Sequence, residues 1–141
     1  MASKDDFTDE EWQVLENALI GAGIFVSVSE PDFTHTRSES NAIETYVSGQ
    51  RETGESELVR ELANIHVNPY AFNQPSSRIE EETLAALRFA AATLAAKAPR
   101  EVDAYCDFVL GVADCVAADS GGVRPGETAA IGKIREALGR A

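Results

Sequence analysis

The sequence predicts an all-α protein, a single-domain helical bundle of about six helices across residues 1–141. Three observations lead there. Apolar residues recur at steps of three and four along the chain, the spacing of one helix face, and strand-like alternation is confined to residues 24–28. Two capping boxes, Thr8-x-x-Glu11 and Thr36-x-x-Glu39, mark helix starts. Turns bearing glycine or proline then divide the periodic stretches into segments of helix length.

The first helix starts at Thr8, with Phe7 placed to staple against Trp12, although residues 1–7 as a segment read as disordered or loosely docked. Trp12, Leu15, Leu19 and Ala22 form its apolar line. Gly21 and Gly23 weaken it, and burial of Ile24, Phe25 and Val26 carries it onward to a stop before Pro31. The second helix opens at Thr36 and runs through Ile43, Tyr46 and Val47; residues 48–56, with Gly49 and Gly54, read as a polar connection. A short third helix turns Leu58, Val59, Leu62 and Ile65 inward. Residues 67–75, bracketed by Asn68-Pro69 and Gln74-Pro75, form an irregular segment from which Tyr70 and Phe72 plug the core.

The fourth helix starts near Ser76 or Ser77 with Glu80, Glu81 and Glu82 in its first turns, where carboxylates suit the helix dipole. Leu84, Leu87, Ala91, Leu94, Ala95 and Ala98 make its seam, and so many alanines place it near the bundle centre. Pro99 opens the fifth helix after a short joint, which makes the fourth and fifth antiparallel neighbours. The fifth buries Val102, Tyr105, Val109, Val112, Ala113, Val116 and Ala117. After the Gly121-Gly122 turn, Pro125 begins a sixth helix that buries Ile131, Ile134 and Leu138.

The last two helices form a hairpin with Asp119 at the bend and Glu127 at the mouth of the second arm. The first two echo it. Glu39 and Glu127 lie 88 positions apart, as do Ile43 and Ile131, while Gly21 and Gly111 lie 90 apart, so the bundle reads as two related helical hairpins. The run A-A-D-S-G-G-V-R-P-G-E followed by I-x-x-I-x-x-x-L-G resembles the tellurite-resistance TerB-like family, small helical domains of two related halves, each with an acidic turn and a following Glu. The likeness covers residues 111–139 and, more loosely, 12–47. It departs from the family's Ala-Asp-Gly turn in placing Ser120 after Asp119, and Ser29-Glu30-Pro31-Asp32 stands where the first-half triplet belongs. What the resemblance implies is a tellurite or chemical-stress association and an acidic site.

A net charge of −12 repels phosphate backbones, which argues against a nucleic-acid partner. It is concentrated early: residues 1–61 hold 14 acidic and 4 basic side chains. Such a surface suits cations, a basic partner, or solubility alone. No segment is apolar for the length needed to span a bilayer, and the polar beginning lacks a signal-peptide core, so the expected compartment is cytoplasmic. Cys106 and Cys115, nine apart on one helix, sit on opposite sides about 13 Å apart. They cannot pair there, and read as two buried, inert thiols.

Chemistry is sparse. His35 lies among Glu30, Asp32 and Glu39, and His66 ends the third helix; a loop histidine among acids is either a ligand or simply solvated. The chain has no Glu-x-x-His pair, nucleophile elbow, P-loop or dinucleotide fingerprint, and the nine residues from Asp119 to Glu127 do not make an EF-hand. Glu39 and Glu127 each precede an inward Ile by four residues, which puts both on the apolar side of their helices. They read either as helix-end caps or as part of a shared acidic site of Asp119, Glu127, Glu39, Glu30 and Asp32, holding calcium, magnesium or manganese. The leading expectation is a non-catalytic TerB-like domain. One alternative is an interaction module binding a protein partner or forming a homo-oligomer; another is a small-molecule enzyme whose pocket residues 67–75 close.

Overall fold

A computed structural model describes residues 6–28, 36–53, 57–63, 76–119 and 125–139. Among these the chain forms six α-helices and no strand: α1 (Asp9–Val28), α2 (Thr36–Thr53), α3 (Glu57–Leu62), α4 (Ser76–Lys97), α5 (Val102–Asp119) and α6 (Pro125–Ala137), with a 3₁₀ turn at Pro99–Glu101 before α5. The all-α prediction holds. No helix among the described residues is long and apolar enough to cross a membrane.

The start of α1 follows its sequence signature closely. The Thr8 amide donates to Glu11 Oε1 at 2.9 Å, and the Glu11 amide donates to Thr8 Oγ1 at 3.1 Å, so each residue satisfies an amide the helix leaves over. Phe7 and Trp12 are buried with ring centroids 5.9 Å apart. Phe7 is therefore docked, as the staple requires; residues 1–5, the bulk of the lead expected to be loose, lie outside the described residues. Lys97, the last residue of α4, pairs with Glu11 and sits 5.9 Å from the Phe7 ring centroid, within cation–π range. One lysine thus ties the end of α4 to the start of α1.

The centre of the bundle is α1, not α4 as expected. Every residue from Ala22 to Ser27 is buried, so this half of the helix is covered on all sides. α4, α5 and α6 pack against it, and α4 and α5 barely touch each other. The antiparallel-neighbour expectation for α4 and α5 fails because α1 takes both of their inner faces. Its glycines explain how. A Cβ on Gly21 would stand 2.8 Å from Thr83 Oγ1 of α4, and one on Gly23 would stand 2.7 Å from Ile43 Cδ1 of α2 and 2.9 Å from Val112 Cγ1 of α5. Each glycine costs the helix about 1 kcal/mol against alanine, and close helix contact is the return.

Three other expectations shift. α2 continues to Thr53, so most of the 48–56 connection is helix, and the Arg51 Nε donates to the Ala63 carbonyl at 2.6 Å, fastening the end of α2 to the end of α3. Leu58, Val59 and Leu62 are buried as predicted for that short helix, and Ala63 just after it is buried too, whereas Ile65, His66, Tyr70, Phe72 and the rest of 64–75 lie outside the described residues. In α4 the inward line is Ile79, Thr83, Leu87, Ala90 and Leu94; Ala91 is half-buried and Ala95 exposed. Alanines surround the whole second half of this helix, so hydrophobicity alone could not fix its rotation. No acid lies in the first turn of α4, because Glu80 is its fifth residue.

α5 buries Tyr105, Cys106, Phe108, Val109, Val112, Ala113, Val116 and Ala117. The Tyr105 hydroxyl donates to the Leu15 carbonyl at 2.8 Å inside the core, joining α5 to the middle of α1. Burial, and secondarily the neighbouring Cys106, pushes the Tyr105 phenol above its ordinary range. Tyr46 of α2 lies across Gly111, where a Cβ would meet its hydroxyl at 2.0 Å, and its ring stands 6.1 Å from Phe108. α6 buries Ala130, Ile134 and Ala137, with Ile131 half-buried; just beyond it Leu138 is buried and Gly139 stands at φ 76°, a left-handed position that glycine fills without strain.

Candidate functional site

Glu127 is the third residue of α6, and its side chain is 1% exposed. Among the described residues it is the one charged side chain in the buried set, whose other polar members are Ser27, Thr83 and Thr93. Its position follows from the helix repeat. Ala130, Ile134 and Leu138 lie three, seven and eleven residues on, along the same face, and all are buried. The predicted inward direction of Glu127 is therefore observed. A carboxylate at this place is favoured by the amide groups and the dipole of the helix start, and Glu127 is engaged by another group of the fold.

The other acids of the predicted site are placed only in part. Asp119 is the last residue of α5, and Glu39 is the fourth residue of α2. The side chains of both lie outside what the structure describes, as do Glu30, Asp32 and His35 altogether. α2 packs mainly on α5, and α6 packs on α1, α4 and α5 alike. Among the described residues no group of three or more His, Cys, Asp or Glu is placed to hold a metal ion.

The sequence echo is not carried into equal packing. Gly21 meets α4 whereas Gly111 meets α2, and Ile43 is fully buried whereas Ile131 is half-buried. Neither cysteine is in a disulfide; Cys106 is buried, but Cys115 is half-buried, which corrects its reading as an interior thiol.

Two features escaped sequence reasoning. Glu101, in the 3₁₀ turn ahead of α5, has one carboxylate oxygen buried without a hydrogen-bond partner. Its place directly after Pro99-Arg100 reads as surface, and nothing in the pattern signals burial. Phe89 on α4 is 52% exposed, the one large apolar side chain so exposed among the described residues. It could have been suspected, since Phe89 is out of phase with Leu87 and Leu94.

No family model, curated protein or solved structure matches the chain. The likeness to TerB-like domains rests on the turn and helix residues quoted above.

Proposed function

We propose that the protein is a non-catalytic helical domain of the TerB-like kind, associated with tellurite or chemical stress, which takes a hard divalent cation at the turn between α5 and α6. The observation that supports this reading is the burial of Glu127. A carboxylate is found fully buried only where its charge is compensated; the helix start and another group of the fold both serve Glu127, and in this reading the cation is a further partner. Asp119 is the last residue of α5, and this reading adds its carboxylate to that of Glu127, since calcium, magnesium and manganese prefer carboxylate oxygens more than zinc does. Glu39, Glu30 and Asp32 complete the site in this reading. The cytoplasm is its compartment, where thiols such as Cys106 and Cys115 persist.

Thermal unfolding with each ion tests this. Calcium, magnesium or manganese should raise the melting temperature of the wild type at concentrations on the order of 0.1–1 mM. Asp119→Asn and Glu127→Gln, which keep shape and remove charge, should abolish the rise. If the ions do nothing, or act equally on all three proteins, the carboxylates are helix caps, and an interaction module without metal becomes the reading.

A further inference from the structure

The six helices are not equally bound into the bundle. α1 packs on α4, α5 and α6, and α6 packs on α4 and α5 in turn, so these four close on one another. Polar links run among them as well: Lys97 to Glu11, Lys133 to Glu80, and Tyr105 to the Leu15 carbonyl. α2 and α3 stand to one side. They pack on each other, α2 rests mainly on α5 and more lightly on α1, and α3 rests lightly on α5. Neither has more than slight contact with α4 or α6. The bond from Arg51 to the Ala63 carbonyl holds the two together. Their apolar hold on the other four is thin. Residues 43–52 of α2 bury two apolar side chains, Ile43 and Val47, whereas the same length of α5, residues 105–114, buries six.

From this we infer that α2 and α3 form a lid on α5 that opens as one cooperative unit, while α1, α4, α5 and α6 keep their fold. α3 is six residues long and α2 is largely polar, and such helices are marginal in water once their apolar side is uncovered. Leaving α5 and losing helix are therefore one event. What the lid covers is one flank of α5. The Tyr46 ring stands 6.1 Å from Phe108, and its hydroxyl lies over Gly111. Cys115 follows four residues on, along the same flank. Ile43 reaches the place on α1 where Gly23 also meets Val112. Opening uncovers this apolar strip and leaves the Tyr105 bond to Leu15 in place, because that bond joins two helices outside the lid. The lid follows from packing alone and needs no cation.

Native-state hydrogen exchange in a urea series below the unfolding transition, with a chelator present, tests the inference. Amides of residues 46–52 and 59–62 should share one opening, faster by about tenfold or more than that of residues 15–19 and 105–113. Its urea dependence should be smaller than that of global unfolding, because less surface is exposed. Two variants separate a lid from fraying helix ends. Val47→Ala alters α2 alone, yet should speed exchange in α3 as well as α2 by about tenfold. Ile134→Val in α6 weakens contacts that survive the opening. It should speed exchange of residues 15–19 and 105–113 and leave α2 and α3 as in the wild type. One common opening for all six helices overturns the inference. So does a Val47→Ala effect confined to α2, or an Ile134→Val effect that reaches α2 and α3.

Discussion

α1 and α4 are the longest helices, 20 and 22 residues, and they lie against one another, yet they use small residues in opposite ways. In α1, Gly21 and Gly23 sit where a Cβ would strike α4, α2 or α5, and Ala18 and Ala22 are fully buried. In α4, Ala85, Ala92, Ala95 and Ala96 face outward. A small residue in a helix therefore does not by itself mean a packed interior. What decides is whether neighbouring elements stand close enough to need the space. The alanine richness that suggested a central α4 is, for half of that helix, a property of its surface.

The largest effect should come from filling the two kinds of small site with the same side chain. Gly23→Val drives a branched group into Ile43 and Val112 and should cost about 3 kcal/mol, as overpacking does. Ala92→Val on the outer face should stay within about 0.5 kcal/mol. Urea unfolding at low micromolar protein measures both, and equal costs would erase the contrast between the helices.

A smaller effect should come from the polar link inside the α1 contact. Tyr105→Phe removes the hydroxyl bound to the Leu15 carbonyl and should cost about 1 kcal/mol near neutral pH. The pH dependence gives a second reading. The folded phenol titrates above its ordinary value near 10, so the stability it contributes is present below that pH and is lost as pH climbs past it. Wild type should therefore lose stability more steeply than Tyr105→Phe above about pH 10, and the gap between them should close. Parallel alkaline curves would mean that water reaches the phenol.

How much of this was legible follows the range of the forces involved. The Thr8 and Glu11 box, the Phe7–Trp12 staple, and the inward faces of α5 and α6 depend on residues three to five apart, and they stand where local pattern puts them. The roles of Gly21, Gly23 and Gly111 depend on Thr83, Ile43, Val112 and Tyr46, which are remote in sequence, so the glycines read only as weaknesses. The rotation of α4 was ambiguous because alanine carries too little hydrophobic contrast. The inward turn of Glu127 was legible because it stands four residues before Ile131, on the apolar side of its helix. Which other carboxylates come near it depends on long-range geometry, and the spacing of single residues does not encode that.

The smallest effect belongs to the edge where α1 and α4 meet. Glu11 titrates below its ordinary carboxylate range, chiefly through its bond from Lys97 and then through the Thr8 amide. That contribution is present above the ordinary value of 4.5 and is lost as pH falls through the lowered one. Glu11→Gln should melt slightly below wild type at neutral pH and merge with it in acid. A difference that persists at pH 2 would assign the effect to the capping geometry instead.

The hydrogen bond from Tyr105 to Leu15 joins residues 90 positions apart. During synthesis Leu15 is made first, and at about 5–20 residues per second its partner follows roughly 5–18 s later. Until then this strongly apolar helix lacks α5 and α6 to cover it, and Ile24, Phe25 and Val26 are open to whatever else is present. The nascent chain thus passes through an interval in which its future centre is its stickiest surface. Slowing translation between residues 30 and 100 should lengthen that interval and raise the aggregated fraction, with the finished fold unchanged.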